Sequence, residues 1–282
     1  MKTVKFLSLI AIFVCFMSCS SDDDEVLKDD PVAGLSLVTS FEANGHTVEL
    51  YSESSNFTTG YNEISVRIKE AASDRYFSNA EIGWMPVMHM ADKEHSCPKS
   101  EVALTENETV SKGFLIFQMP GNAEEYWSLT LNYRLGGVTY EADGRLEVNP
   151  SLDGKQKISV FKGNDDARYV LAMVDPEKPG VKINDFKAVL YKMEDMMNFS
   201  VAEYYKITVD PRMPGMDNHS SPNNEDLTYN AASRMYSGKL SLTMTGYWKI
   251  NLKLLNADGD VIKGEDVTEE NPESSLYFEV EF

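Results

Sequence analysis

Residues 83–101, with the sequence GWMPVMHMADKEHSCPKSE, gather three methionines, two histidines and one cysteine among polar and charged neighbours. Methionine usually fills gaps in a protein core, so this setting is unusual for it. Thioether sulfur is a soft, neutral ligand that prefers Cu(I) to Zn²⁺, Mg²⁺ or Ca²⁺, and imidazole binds both copper oxidation states. The stretch therefore predicts a soft-metal site, with an accident of composition as the alternative.

The same residue types recur in the same order in the second half of the chain. Five blocks match, an ordered similarity that would rarely arise by chance. They are FSNAE (77–81) with FSVAE (199–203), MPVM (85–88) with MPGM (213–216), HSCP (95–98) with HSSP (219–222), KGFLIFQMPG (112–121) with SGKLSLTMTG (237–246), and Trp127 with Trp248. The repeat predicts two copies of one domain, residues 35–150 and 151–282, joined at a turn-rich stretch.

The candidate metal ligands are the soft donors in and near each block. They are Met85, Met88, His89, Met90, His95 and Cys97 in the first copy, and Met213, Met216 and His219 in the second. A Met–Met–His set can bind Cu(I) through three ligands that carry no charge. Prolines in the blocks stiffen the backbone and lower the entropy cost of ordering the ligands. As a thiolate, Cys97 would add an anionic donor.

Packing is the alternative role for these methionines. Met119 and Met244 follow apolar strands, which favours a core position over a ligand position for both. If the first block forms a strand, Met88 and Met90 share one face and His89 lies on the other. A lone Met-Pro-x-Met would be weak support for a metal site, and its repetition together with His-Ser-x-Pro is the stronger signal.

The rest of the sequence indicates β-structure. Segments such as NEISVRIKE, SLTLNYRL, FKAVLYKM and WKINLKLL alternate or run apolar with β-branched and aromatic residues, and turn-forming residues separate them. The one candidate helix, EDMMNFSVAEYY (194–205), is weakened by Asn198 and Val201. We predict an all-β protein of two tandem immunoglobulin-like β-sandwich domains, with Trp127 and Trp248 each starting a core strand.

The first residues indicate export and a lipid anchor. Lys2 and Lys5 precede an apolar run that is too short to span a bilayer, which is typical of a signal peptide. Ser18-Cys19 at its end resembles the lipobox of bacterial lipoproteins, which implies a signal peptide of residues 1–18 and lipid on Cys19, followed by a tether to residue 34. The acidic tract SSDDDE resembles the surface-export signal of Bacteroidetes lipoproteins. We expect an outer-membrane lipoprotein on the periplasmic or cell-surface face.

Composition narrows the possible functions. The net charge of −19, from 45 acidic and 26 basic residues, argues against nucleic acid as a partner, because phosphates require clustered Lys and Arg. With Cys19 lipidated, Cys97 would be the one free thiol of the mature chain, so no intrachain disulfide is expected. Four histidines and the lack of a nucleophile-elbow pattern give little support to catalysis, and we do not expect an enzyme.

The repeated blocks resemble the YtkA-like domain, a small bacterial β-sandwich family related to FixH-type proteins. The resemblance is clearest at Gly113, Met119, Gly121 and Trp127, and at Gly238, Met244, Gly246 and Trp248. It implies extracytoplasmic copper handling, with ligands at Met85, Met88 and His95, and at Met213, Met216 and His219. Both copies depart from the family pattern, the first by the insertions ADKE and NAEEY and the second by Asp217 and Asn218 where the family often has Met or His.

Two functional hypotheses follow. The first is an extracytoplasmic copper-binding lipoprotein, Cu(I) favoured, that buffers copper or exchanges it with a copper donor or acceptor protein. The second is a β-sandwich surface binding module, an adhesin or a glycan-binding protein, with no metal role. A copper titration separates the two.

Overall fold

Strands and turns make up the chain in the computed structural model, which describes residues 30–73 and 75–282. One turn of 3₁₀ helix, Pro214–Met216, is the only helix in the part of the chain that is described. The predicted all-β class is confirmed. The predicted signal peptide, Cys19 and the acidic tract after it lie outside the described residues. Within the described ranges, no helix is long and apolar enough to cross a membrane.

Strands β1–β11 belong to the first half, residues 31–150, and β12–β22 to the second half, residues 151–282. The first-half strands are β1 Ser36–Ala43, β2 His46–Ser52, β3 Phe57–Thr58, β4 Gly60–Glu70, β5 Glu81–His89, β6 Glu94–His95, β7 Ala103–Leu104, β8 Ser111–Phe117, β9 Tyr126–Leu135, β10 Val138–Leu146 and β11 Val148–Asn149. The second-half strands are β12 Ile158–Lys162, β13 Arg168–Asp175, β14 Lys182–Met193, β15 Phe199–Val201, β16 Lys206–Met213, β17 His219–Ser220, β18 Glu225–Asn230, β19 Met235–Leu242, β20 Tyr247–Leu255, β21 Val261–Lys263 and β22 Leu276–Glu281.

In the first half, two sheets face each other across one hydrophobic core. One sheet has the strand order β1-β2-β4-β8-β7 and the other β10-β9-β5-β6. If β2 is strand A, and β4 to β10 are strands B, C, C′, D, E, F and G, these orders become A-B-E-D and G-F-C-C′. That is the arrangement of an immunoglobulin-like sandwich, with β1 added beside strand A.

The second half has the same strand order. The sheet that holds strands A, B, E and D is formed by β13, β14, β19 and β18 in that order, and strands C, C′ and F are β16, β17 and β20. At position G, both β21 and β22 pair with β20. Its two sheets are joined, because β18 also pairs with β16 through Ile207 and Leu227. Residues 31–282 group into one compact unit. The division into two domains at residue 150 therefore stays a prediction.

Equivalent tryptophans anchor the two cores. Trp127 and Trp248 are the second residues of β9 and β20 and have no exposed surface, which confirms that each starts a core strand. Each indole Nε1–H donates to a methionine carbonyl, Trp127 to Met119 O and Trp248 to Met244 O, both at 3.0 Å. The Met119 and Met244 side chains pack partly buried against the two cores, as the sequence favoured.

The halves meet through the outer faces of their A-B-E sheets. Alternate residues of β13 enter different clusters: Tyr169 and Leu171 lie in the second-half core, and Val170 and Ala172 pack in a separate cluster with Ile116 of β8. A strand buried on both faces is apolar along its length, because neither face meets water. This explains why YVLAMV shows no polar alternation. We call the shared cluster the apolar junction.

The candidate helix at residues 194–205 is not formed. Residues 194–198 are a turn between β14 and β15, and β15 pairs back onto β14. Asp195 Oδ1 accepts the backbone N–H of Met197 at 2.7 Å and of Asn198 at 2.9 Å. A short side chain that bonds nearby backbone amides favours a turn over a helix. We call residues 194–198 the Met196 loop.

Candidate functional site

The first Met-Pro-x-Met block forms part of a regular strand rather than a polar surface segment. Within β5, Trp84, Pro86 and Met88 are buried, and Met85 is exposed between them. Successive strand residues point to opposite faces, so two residues separated by three positions cannot share a face. Met85 is 39% exposed on the outer face, whereas Met88 has no exposed surface in the core. The predicted convergence of Met85 and Met88 on one ion is therefore not formed.

The second block separates its methionines in a different way. Met213 is the last residue of β16 and is buried, with 5% of its surface exposed. Its Cε packs so closely on Gly246 that a Cβ there would lie 3.1 Å away. Met216 lies in the 3₁₀ turn and is 51% exposed. Met216 is thus a surface residue and Met213 a core residue, which does not match the predicted loop that folds around a metal.

The structure does bring one methionine and one histidine together in each half. His95 of β6 lies directly opposite Met88 of β5, and His219 of β17 lies directly opposite Met213 of β16. Directly opposed residues of an antiparallel pair project to the same face, with Cβ atoms about 5 Å apart. We call these the first and second Met–His pairs. Both occupy the C–C′ hairpin of their half.

The His95 ring is oriented by its own backbone neighbour. His95 Nδ1 lies 2.8 Å from the carbonyl oxygen of Ser96. A carbonyl only accepts hydrogen bonds, so Nδ1 carries the proton and, in the neutral ring, Nε2 carries the lone pair. The ring also meets Trp127 edge to face, with centroids 5.4 Å apart. A histidine held in this way can coordinate a metal through the lone pair of Nε2, as metal-binding histidines commonly do.

His89 is engaged elsewhere, on the outer face of β5. Its Nδ1 lies 2.7 Å from Glu94 Oε1, and its Nε2 lies 2.8 Å from Ser128 Oγ. The ring also stacks on Tyr126 at 4.9 Å. Both ring nitrogens have partners, and the side chain points away from Met88. The structure does not bring His89 into the first Met–His pair.

The positions of Met90 and Cys97 also do not suit them as metal ligands. Met90 lies in the turn after β5, where its backbone N–H donates to Lys93 O at 3.0 Å and its side chain packs partly buried on the core. Cys97 is 1% exposed. Burial raises the pKa of its thiol to about 12, because a thiolate would lose its hydration there. Cys97 is therefore a protonated core thiol at neutral pH rather than the predicted anionic ligand.

Any metal site here depends on thioether sulfur. Among residues 30–73 and 75–282, no three His, Cys, Asp or Glu side chains group closely enough to hold a metal ion. The donors that strand register places opposite each other are one thioether sulfur and one imidazole in each half. This donor chemistry fits Cu(I) better than a hard cation.

Two features of the structure were not found from the sequence, one beside the first pair and one elsewhere between the halves. Ser96 is fully buried, and its backbone N–H donates to Met196 O of the second half at 2.9 Å. The repeated HSxP block had marked this serine, but a sequence gives no sign of a partner 100 positions away. The other feature is a cleft of about 520 Å³ between the halves. Its lining includes Tyr51, Tyr61 and Glu177.

Comparisons with known proteins leave the family open. No family model matches the chain, and no curated protein matches it. Among solved structures it matches FdeC, a broadly conserved adhesin of Escherichia coli, with 13% sequence identity and a TM-score of 0.26. The match covers 86% of this chain and 65% of the adhesin chain. A similarity this low carries no argument about function, and the YtkA-like assignment stays a prediction.

Proposed function

We propose that the chain is an extracytoplasmic protein that binds Cu(I) at the two Met–His pairs and buffers or transfers copper. One observation carries the proposal: the pairs Met88–His95 and Met213–His219 occupy the same position of the C–C′ hairpin in both halves. A single chance contact would not be expected to recur at the equivalent register of a diverged repeat. The membrane anchor through Cys19 belongs to the same proposal.

The donor set suits exchange of the ion more than permanent storage. Thioether and imidazole are both neutral, so binding neither requires nor releases a ligand proton when the histidine is unprotonated. Two protein donors leave room on Cu(I) for a further ligand from a donor or acceptor protein. The second pair is the more accessible one on its histidine side, because His219 is exposed whereas His95 is partly buried; the methionine is buried in both pairs.

Competition titration with Cu(I) on the chain from Ser20 onward tests the proposal. Met88→Leu and Met213→Leu remove sulfur with little change of side-chain volume, so packing is largely kept. His95→Gln and His219→Gln remove the imidazoles. Each change should weaken its own pair about tenfold or more and spare the other, since the pairs lie in different halves.

Matched controls are Met85→Leu and Met216→Leu. Both residues belong to the repeated blocks, but neither side chain lies in a Met–His pair, so both variants should bind copper like the parent. A parent chain that binds no Cu(I), or equal losses from Met85→Leu and Met88→Leu, would contradict the proposal. Lower thermal stability with unchanged copper affinity in Met88→Leu would mean that this methionine only packs.

The surface-module hypothesis has one structural observation in its favour. The cleft between the halves, about 520 Å³, falls within the size range of small-ligand sites and lies at an interface between repeats, where such sites are common. A glycan-array screen on the same chain, with a Tyr61→Ala variant as control, tests it. Binding that this variant abolishes, in a chain that binds no copper, would replace the copper proposal.

A further inference from the structure

Ser96 ties the first Met–His pair to the other half of the chain. Its backbone N–H donates to Met196 O at 2.9 Å, and its carbonyl accepts His95 Nδ1–H at 2.8 Å. Its hydroxyl donates to Pro86 O at 2.7 Å, within the same strand as Met88. One buried residue thus holds the imidazole, the methionine strand and the Met196 loop in a single hydrogen-bonded chain.

The Met196 loop is itself organised by one carboxylate. Asp195 Oδ1 accepts the backbone N–H of Met197 and of Asn198, and both Asp195 oxygens accept Asn198 Nδ2–H. These bonds hold the turn closed around residue 196. The position of the Met196 carbonyl, which Ser96 requires, therefore depends on Asp195.

The second pair has a different setting at the equivalent residue. Ser220, which follows His219 as Ser96 follows His95, is exposed and pairs with Arg212 of its own half. The next residue also differs, since Cys97 is a core thiol whereas Ser221 Oγ donates to Ser241 Oγ within the second half. The second pair is therefore assembled from one half, and the first from two.

We infer that the Met196 loop of the second half positions His95, so that the first Met–His pair is a composite of both halves. This inference rests on the proposed copper function. Asp195, Met196 and Ser96 are then positioning residues that act through His95 without touching the ion. The two copper sites should differ in how far they depend on the rest of the chain.

Cu(I) titration of Asp195→Ala, made in two variant backgrounds, tests the inference. With His219→Gln, the titration reports the first pair, and with His95→Gln it reports the second. Asp195→Ala should weaken Cu(I) binding by the first pair about fivefold or more and leave the second unchanged. Asp195→Asn should restore most of the affinity, because its amide oxygen still accepts both backbone N–H groups.

A metal-free measurement separates this inference from the proposed function. Nitrogen-15 NMR of the imidazoles should show His95 as the Nδ1–H tautomer in the parent and in Asp195→Asn, and a tautomer mixture in Asp195→Ala. If the parent binds no copper, the proposed function fails, and the NMR result still decides the positioning role. If copper binds but Asp195→Ala changes neither the His95 tautomer nor the first-pair affinity, the inference is overturned.

Discussion

The two halves share one strand order but cover different parts of their outer surface. In the second half, the outer face of the G-F-C sheet lies under residues 264–275, a segment between β21 and β22. Lys249 and Asn251 on that face are 7% and 2% exposed, and Lys249 forms an ion pair with Glu273 of the covering segment. In the first half, β9 turns directly into β10 at Gly136-Gly137, and no described segment takes this place.

The difference shows how a repeat can diverge without changing its core. At the positions of Lys249 and Asn251, counted from the equivalent tryptophans, the first half has Ser128 and Thr130, both partly exposed. Cores retain large apolar residues because packing is sensitive to volume. Outer faces are free to gain a covering segment, a partner half or neither. The second half is therefore protected on both outer faces, and the first half on one.

The largest expected effect comes from removing the core tryptophans. Trp127→Ala and Trp248→Ala should each lower the free energy of unfolding by about 3–5 kcal/mol, through lost burial and a residual cavity. Denaturant titration measures this. In Trp248→Ala the remaining Trp84 and Trp127 report on the first half, and in Trp127→Ala the fluorescence of Trp248 reports on the second half beside that of Trp84. Because the apolar junction couples the halves, we expect both halves to lose stability in each variant. Unchanged unfolding of the first half in Trp248→Ala would show that the junction couples them little.

Equivalent glycines should respond unequally to alanine. A Cβ at Gly238 would lie 2.5 Å from Glu225 O and 2.8 Å from Asp226 O, backbone atoms that cannot move without disturbing β18. A Cβ at Gly113 would meet side-chain atoms instead, including Trp84 Cζ2 at 2.6 Å. We expect losses of about 2–3 kcal/mol for Gly238→Ala and a smaller loss, about 1–2 kcal/mol, for Gly113→Ala in thermal or urea unfolding. The reverse order would contradict this reasoning.

The covering segment gives a smaller, local effect. Ser274 is buried, its hydroxyl donates to Leu252 O at 2.7 Å, and it accepts the N–H of Glu265 and Leu276, both at 3.1 Å. Ser274→Ala removes the hydrogen-bond partner of two buried groups and one partly buried group, and should cost about 1–2 kcal/mol. Hydrogen exchange should rise in residues 264–275 and β20 but not in β9. The matched control is Ser275→Ala, at the exposed neighbouring residue, which should change the free energy of unfolding little.

The smallest effect concerns pH at the cleft between the halves. Burial raises the pKa of Glu177, and its hydrogen bond with Glu53 adds to this, because a shared proton favours the neutral form. A raised carboxyl pKa contributes stability that is present at low pH and lost as pH rises through the folded-state pKa. Compared with Glu177→Gln, the parent should therefore lose stability on going from about pH 4 to 8. If the melting temperatures of the parent and of Glu177→Gln changed with pH in the same way across this range, the effect would be contradicted.

Alternation and turn residues were enough to predict the strands and the all-β class, because one face of most strands is buried in a core. A strand at the first Met-Pro-x-Met block was predicted only as the alternative to a metal-binding segment, because the polar neighbours of Met88 lie on the outer face of that strand or in the turn that follows. The pairing of Met88 with His95 depends on hairpin register, which sequence spacing alone does not determine. The contact between Ser96 and Met196 joins distant segments, and no local pattern marks it.

The apolar junction also bears on the order in which the chain is made. Residues 60–117, which carry Tyr61, Phe114 and Ile116, are synthesised well before the β13 and β15 residues that cover them. Until then these three side chains form an exposed apolar patch, and such patches promote self-association of nascent chains. This interval is a natural point for a holding chaperone to act.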